Sequence, residues 1–407
     1  MLTSLALIFL IGLAAAALCQ LLHIPRILGM LATGIVLGPY ALNLLDPSIL
    51  SISADLRQMA LVIILLKAGL SLNLDDLKKV GRPAVLMSFV PATCEILAFT
   101  LFAPALLGVS RIEAALMGAV IGAVSPAIVV PRMVQLMESG WGTGKSIPQL
   151  ILAGASCDDV YVIVLFTTFT GMAQGGQADA AGLLSIPISV VLGVLLGAVS
   201  GWLLGLFFEA AFARRRYVRN STKVIVILGL SFLFLAIENA LDGVVPVSGL
   251  LAVVSMACVL KRRSVAFVSK RLSEKFGKLW IAAELLLFVL VGAAVDVRYT
   301  VEAGAAALLM ILISLLLRSL GVALCALRTP LTGKERLFCA IAYLPKATVQ
   351  AAIGSVPLAL GLPCGQIVLS VAVLAILVTA PLGAFGIDLT YRRLLQKESR
   401  GDTQRAG

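Results

Sequence analysis

"LMGAVIGAVSPAIVVPRM", residues 116–133, is an apolar stretch of transmembrane length interrupted near its middle by Pro126. Far down the chain "LFCAIAYLPKATVQAAIG", residues 337–354, is interrupted in the same way by Pro345. A proline removes one intrahelical hydrogen bond and its ring clashes with the preceding turn, so each stretch reads as a kinked or broken helix. Small and polar residues flank both prolines, with Ser125 before the first and Thr348 after the second. At membrane depth a break is tolerated only where protein or a water-filled cavity satisfies the freed backbone groups.

That these stretches lie in a membrane follows from composition. The chain has 407 residues, 60% hydrophobic and 13% charged, where a soluble domain is about one-quarter charged. Mean hydropathy is +1.06, and apolar runs of about 20 residues, enough to cross a bilayer, recur from end to end. Divided at glycine, proline and charge, they give thirteen spans, at roughly 3–22, 26–43, 56–73, 80–107, 111–137, 146–173, 184–210, 221–240, 246–260, 272–295, 301–327, 333–359 and 365–391. The opening "MLTSLALIFLIGLAAAALC" lacks a basic leader and a clear small-residue cleavage site, so it reads as the first span rather than a signal peptide. The fold class expected is an all-α polytopic membrane protein.

The distribution of charge checks the count. Of the 32 Lys and Arg residues, three (Lys67, Arg318, Lys346) fall within spans. With thirteen spans the other 29 divide as 26 on one side and 3 (Arg57, Arg111, Arg298) on the other. By the positive-inside rule the N-terminus is outside and the C-terminus cytoplasmic. The net charge of +11 thus reflects orientation, and a nucleic-acid partner is not expected. Spans 5 and 12 are seven apart, so they cross the membrane in opposite senses. This is the mark of two inverted six-helix repeats, residues 1–173 and 221–391, joined by a linker helix within 174–220 and followed by a short cytoplasmic tail at 392–407. Broken helices in corresponding positions of two repeats point to a transporter binding site.

Five charges lie deep inside spans: Glu95, the adjacent pair Asp158 and Asp159 in "ILAGASCDDVYVIVLF" (151–166), Arg318, and Lys346 directly after Pro345. Each costs about 2.5–3.5 kcal/mol or more on insertion scales, so each requires a partner or a function. Glu95 in span 4 and Arg318 in span 11 occupy equivalent helices of the two halves. Neighbours on a helix point about 100° apart. One aspartate can therefore face a cation such as Arg318 or Lys346 while the other faces an open cavity. Desolvation and a like-charged neighbour favour the neutral form of a carboxylate in general. The same oxygens, ionised, are hard ligands for a small cation. Cation and proton then compete for one site, which is what coupled antiport requires. Lys67 lies near the cytoplasmic end of span 3 and is expected to snorkel, and Glu284 has no evident partner.

The stretches "GAVSPAIVVPRM", "AGASCDDVYVIVLF" and "AYLPKATVQAAIG" together resemble the monovalent cation/proton antiporter superfamily, specifically its NHA-type sodium/proton exchangers, over essentially the whole chain. The resemblance implies a bacterial homologue in an inner membrane. It implies a homodimer whose protomers each have a dimerisation domain and a mobile core, the core holding two crossing broken helices. It further implies an ion site at Asp158 and Asp159 for Na⁺ or Li⁺, with Asp159 the principal carrier and a Glu95–Lys346 pair bracing the breaks. Arg318 falls where some electrogenic relatives carry lysine. Arginine does not release its proton in proteins, so electroneutral exchange is expected.

Other signals are discounted. "SGWGTGKS" at 139–146 fails as a phosphate loop on spacing and context. The seven cysteines form no metal-type pair, and His23, the only histidine, sits at a span boundary. No enzymatic activity and no cofactor are expected. An intramembrane aspartyl protease needs two carboxyls facing one water, and consecutive residues on one helix diverge too far. The principal alternative is a sodium-coupled symporter of an organic anion on a similar broken-helix fold.

Overall fold

A computed structural model describes residues 1–22, 24–71, 81–174, 180–213, 218–241, 245, 247–296 and 304–397. His23 and the end of the tail from residue 398 lie outside these. The described chain is helical, the sole bridge of β type among its residues joining Trp141 to Lys397. Each of the thirteen expected spans corresponds to a helix or to a helix in pieces. In order they are α1 (Leu2–Leu21), α2 (Arg26–Leu37), α3 (Pro47–Ser51) with α4 (Ser53–Ser71), α5 (Arg82–Met87) with α6 (Val90–Leu107), α7 (Arg111–Ile121) with α8 (Pro126–Glu138), and α9 (Ile147–Ala173). Then follow α10 (Ala180–Ala213), α11 (Asn220–Ala240), α12 (Gly249–Arg263), α13 (Ala266–Ala293) and α14 (Gly304–Cys325). The chain continues with α15 (Gly333–Ala342), α16 (Thr348–Gly354) and α17 (Val356–Ala359), and ends in α18 (Gly365–Leu394).

Nine stretches among the described residues are long and apolar enough to cross a membrane, and two of them, Arg82–Leu107 and Arg111–Glu138, are made of two helices each. The rest are short or interrupted. α2 stops at Leu37, earlier than its apolar run predicts, because the chain turns into an extended conformation at Gly38. Both predicted breaks are present: α7 and α8 are separated at residues 122–125, and α15 and α16 at residues 343–347. Pro126 opens α8 at its first position, with Ser125 as N-cap. That is where proline's missing N–H costs nothing. Pro345 lies wholly within the second gap.

The chain divides into two compact units that interleave along the sequence. One comprises residues 1–46, 73–169 and 288–407, the other 47–72 and 170–287. In the second unit α10 packs closely on α12. Gly193, Gly197 and Gly201 form a stripe one turn apart on α10, and a Cβ at any of them would collide with the backbone of Ser248, Ala252 or Met256. This is the small-residue packing by which membrane helices approach closely without a hydrophobic driving force. Within this unit Lys67 on α4 lies in the electrostatic field of Glu284 on α13, and Glu284 is buried. Glu284, without an evident partner in the sequence, thus has the opposite charge of Lys67 within its field.

The first unit holds both breaks, with α6, α9, α14 and α18 around them. Gly383 on α18 leaves room for the Pro345 ring, and Gly154 on α9 leaves room for the Tyr343 phenol. At the membrane-exit end, Lys145 of the glycine-rich loop pairs with Glu335 at 2.8 Å, and Glu335 closes a capping box with Thr332 at the start of α15. The lysine of the discounted phosphate motif therefore has a structural partner.

Candidate functional site

All five buried charges predicted from sequence lie in the first unit. Glu95, Asp158, Arg318 and Lys346 are fully buried, and Asp159 is 6% exposed. Arg318, on α14, joins most of the cluster. Its Nη1 donates to Glu95 Oε2 at 2.7 Å and its Nη2 to Asp158 Oδ2 at 3.1 Å. Nε donates to the Tyr343 carbonyl at 2.8 Å, and Nη1 also reaches the Gly122 carbonyl. Those two carbonyls are at the C-terminal ends of α15 and α7, where helices leave acceptors unsatisfied and the macrodipole is negative. One guanidinium therefore caps both half-helices and neutralises two carboxylates, which a single-point ammonium does not do.

Lys346 Nζ donates to Glu95 Oε2 at 2.6 Å, giving that carboxylate two cations, while Ser314 Oγ donates to Oε1 at 3.3 Å. Asp158 Oδ2 also accepts from the Val124 N–H at 2.8 Å, just before α8 begins. A carboxylate there sits at the positive end of a helix. The breaks touch directly: the Ser125 N–H donates to the Pro345 carbonyl at 2.8 Å.

Two residues that the sequence reading passed over complete the frame. Gln350, on α16, is fully buried. Its Nε2 donates to the carbonyls of Ile121 at 3.1 Å and Ala123 at 2.7 Å, while its Oε1 accepts from the Ala347 N–H at 2.8 Å. Thr379, on α18, accepts from the Lys346 N–H at 2.9 Å. Between them the backbone groups freed by the two breaks find partners, as the apolar surroundings demand.

What lacks partners is equally specific. Ser125 Oγ, Thr348 Oγ1, Asp158 Oδ1 and Asp159 Oδ1 are buried and make no hydrogen bond. Among the described residues Asp159 has no ion pair, in contrast to Asp158. It is nearly enclosed. No group of three or more His, Cys, Asp or Glu that would suit a resident metal centre occurs among the described residues. The unsatisfied atoms are hydroxyl and carboxylate oxygens, the donor set of a small hard cation.

The family model described as "Sodium/hydrogen exchanger, transmembrane" matches residues 5–391. The chain belongs to the transmembrane sodium/hydrogen exchanger family. Sodium/hydrogen exchanger 9B2 of Mus musculus is 34% identical over 386 residues, covering 92% of this chain and 69% of the relative. The Homo sapiens 9B2 protein is 35% identical over 356 residues, covering 85% and 65%. The chain thus spans about two-thirds of the length of these relatives. Among solved structures, the sodium proton antiporter MjNhaP1 from Methanocaldococcus jannaschii at pH 8 superposes with a TM-score of 0.82 at 21% identity, covering 97% of this chain and 98% of that one. That likeness is one of fold. These relatives are animal and archaeal, so they lend no support to the bacterial inner membrane expected from the sequence. That the exchanger is an integral membrane protein follows from the family and from its apolar helices together.

Proposed function

We propose that this exchanger carries Na⁺ or Li⁺ against protons, one for one, by alternating access, and that the carrier group is Asp159. The observation that carries the reading is the charge balance of the buried cluster. Three carboxylates (Glu95, Asp158, Asp159) face two cations (Arg318, Lys346). Arg318 and Lys346 are committed to Glu95 and Asp158, which leaves one negative charge in excess, on the carboxylate without a partner.

Either one proton or one monovalent cation neutralises that excess. With the cation aboard, the carboxylate of Asp159 is ionised and the unpartnered oxygens of Asp158, Ser125 and Thr348 supply further ligands. With the proton aboard, Asp159 is neutral and the cation is gone. The two loaded forms carry the same total charge, so a cycle moving one in and the other out transfers no net charge. Arg318 keeps its proton throughout, and Lys346 stays charged against Glu95. The excess charge unloaded is unfavourable in a low-dielectric interior, which discourages crossing with the site empty and so couples the two fluxes.

The principal alternative, symport of an organic anion with sodium, needs cationic groups open to the substrate. Both candidates are fully buried in ion pairs, which counts against it. The Lys/Arg asymmetry supports an N-terminus outside and a C-terminus in the cytoplasm, and the resemblance supports a homodimer acting at a membrane that maintains pH and salt balance.

The experiment is proton movement in proteoliposomes on addition of Na⁺ or Li⁺, with and without an imposed membrane potential. We expect exchange that is insensitive to the potential and that is lost in Asp159→Asn. A strong response to the potential overturns the one-for-one reading, and full exchange in Asp159→Asn overturns the site.

A further inference from the structure

Arg132 and Asp388 form a two-point ion pair that the exchange site does not use. Both lie in the first unit, each within two turns of the C-terminal end of its helix. Arg132 Nε donates to Asp388 Oδ1 at 3.0 Å and Nη2 to Oδ2 at 2.9 Å, while Nη1 donates to the Ile128 carbonyl at 3.2 Å. A planar fork of this kind fixes direction as well as distance. The side chains are 24% and 50% exposed, and an ion pair so open adds little to stability. What it ties together is more informative.

Arg132 sits on α8, two turns from Ser125 and on the same face. Between them Pro131 interrupts α8. It has no N–H for the Ala127 carbonyl and its ring crowds the turn before it, so the helix can bend there. Arg132 spans that weak turn. It holds Ile128, ahead of the proline, and fastens both to Asp388 on α18, the helix that receives the Pro345 ring at Gly383 and the Lys346 N–H at Thr379. Packing alone would not fix the two helices here, because a cavity of about 240 Å³ opens beside the pair, bounded by Gln135 and Ser139 of α8 and Ile387 and Tyr391 of α18. The fork thus sets the direction of the first turn of α8 against the helix that seats the other break. Where that turn begins are the Val124 N–H on Asp158 and the unpartnered Ser125 Oγ.

We propose that Arg132 and Asp388 are positioning residues that set how closely the Ser125 oxygen is held to the two aspartates, and thereby the preference between Li⁺ and Na⁺. This rests on the reading of Asp158, Asp159 and Ser125 as ligands of the ion. Li⁺, the smaller ion, needs its oxygens drawn in further, and a site discriminates by size only as far as its ligands are held in place. Slackening α8 therefore penalises Li⁺ more than Na⁺.

Cation-driven proton movement in proteoliposomes carrying the full chain gives apparent KM values for the two ions, with Tm measured in parallel. In Arg132→Gln and in Asp388→Asn the KM for Li⁺ should rise more than that for Na⁺, shifting their ratio by about threefold or more, while Tm stays near wild type. The two substitutions together should shift the ratio no further than either alone. Ser125→Ala supplies a readout that a purely structural tie would not move. Added to it, Arg132→Gln should leave the ratio unchanged, because the oxygen being positioned is gone. Should Arg132→Gln not be recovered folded, Arg132→Lys, which keeps the charge and loses the fork, should shift the ratio the same way to a smaller extent. KM values that rise by one factor for both ions overturn the proposal. So does a fall in Tm with the ratio unmoved, or a shift that persists undiminished with Ser125→Ala. Failure of every variant to fold overturns it too, since the pair would then hold the fold rather than the site. Asp159→Asn in the same assay separates the two readings: full exchange there removes the ion site itself, whereas loss of exchange there with an unmoved ratio in Arg132→Gln removes only the positioning role.

Discussion

The first helix break, at residues 122–125, is finished entirely by groups from elsewhere, whereas the second, at 343–347, carries its own charge and its own cap. In the first, Gly122 is capped by Arg318, Ile121 and Ala123 by Gln350, Val124 by Asp158, and Ser125 by the Pro345 carbonyl. Ser125 contributes no side-chain bond to its own helix. In the second, Lys346 supplies a cation locked to Glu95, and Gln350 on the helix that follows closes back on the Ala347 N–H. The first break is neutral and positioned by its neighbours; the second is a charged anchor. A site that must bind a cation and then let it go needs both, an anchor to fix the geometry and an oxygen-rich partner with capacity to spare.

Removing Arg318 should erase the distinction, because it binds a carbonyl at the end of each half-helix and two of the carboxylates. Arg318→Gln leaves Asp158 without a cation and both half-helix ends poorly capped. Breaking a buried ion pair by removing one partner costs about 3–5 kcal/mol. We expect a large fall in Tm and no measurable exchange. Arg318→Lys keeps the charge but contacts fewer groups, and lysine can release its proton when buried. If the one-for-one reading holds for wild type, exchange by that variant should be slower and should respond to membrane potential in proteoliposomes where wild type does not. Potential-insensitive exchange in Arg318→Lys would show that the arginine does not set electroneutrality.

Gln350 sharpens the comparison, since it ties the first break to the second. Gln350→Leu strands two buried carbonyls and one N–H, each worth about 1–3 kcal/mol, and should depress exchange at every pH. Gln350→Glu is more telling. As a neutral acid its hydroxyl can still donate to the Ile121 or Ala123 carbonyl; ionised, it can only repel them. Exchange by this variant should be retained at acid pH and lost as pH rises. A pH profile like that of wild type would mean that Gln350 does not position the first break.

These two residues also mark where the sequence was legible. Glu95, Asp158, Asp159, Arg318 and Lys346 announced themselves because a charge in a membrane span is expensive, and Pro126 and Pro345 because proline cannot continue a helix. From those costs followed the paired breaks and the members of the buried charge cluster. Gln350 and Thr379 carried no such signal: uncharged polar residues are common in membrane helices, and their value here lies in which backbone groups they meet. The carbonyls of Gly122 and Tyr343 carry no residue-type signal at all. Lys67 and Glu284 were each visible, but their mutual proximity is a fact of packing between segments more than 200 residues apart. Arg318 was read as a partner for an aspartate; that it also binds Glu95 and two helix ends depended on geometry alone.

Thr379→Val isolates the second break. It removes the acceptor of the Lys346 N–H and leaves that buried donor unsatisfied, a loss of about 1–3 kcal/mol. The oxygens proposed to face the ion are untouched, so Tm should fall while the apparent KM for Na⁺ stays near wild type. A raised KM with unchanged Tm would place Thr379 in ion recognition instead and would weaken the description of the second break as an anchor.

Ser125→Ala tests the opposite side and should have the smallest effect on stability. A serine N-cap replaced by alanine ordinarily costs about 0.5–2 kcal/mol, because its oxygen accepts from a first-turn N–H. Ser125 makes no such bond, and its Oγ is buried without a partner. If the oxygen is idle, nothing changes in Ser125→Ala. If it is held in reserve for the cation, Tm is unchanged but the apparent KM for Na⁺ rises, while proton binding at Asp159 persists. The signature is therefore a split: wild-type unfolding, weakened Na⁺ dependence, and a shift of the Na⁺ requirement that grows as pH falls and protons compete harder for the shared carboxylate. A loss of Tm with KM unchanged would make Ser125 an ordinary cap, and the first break would then differ from the second only in its charge.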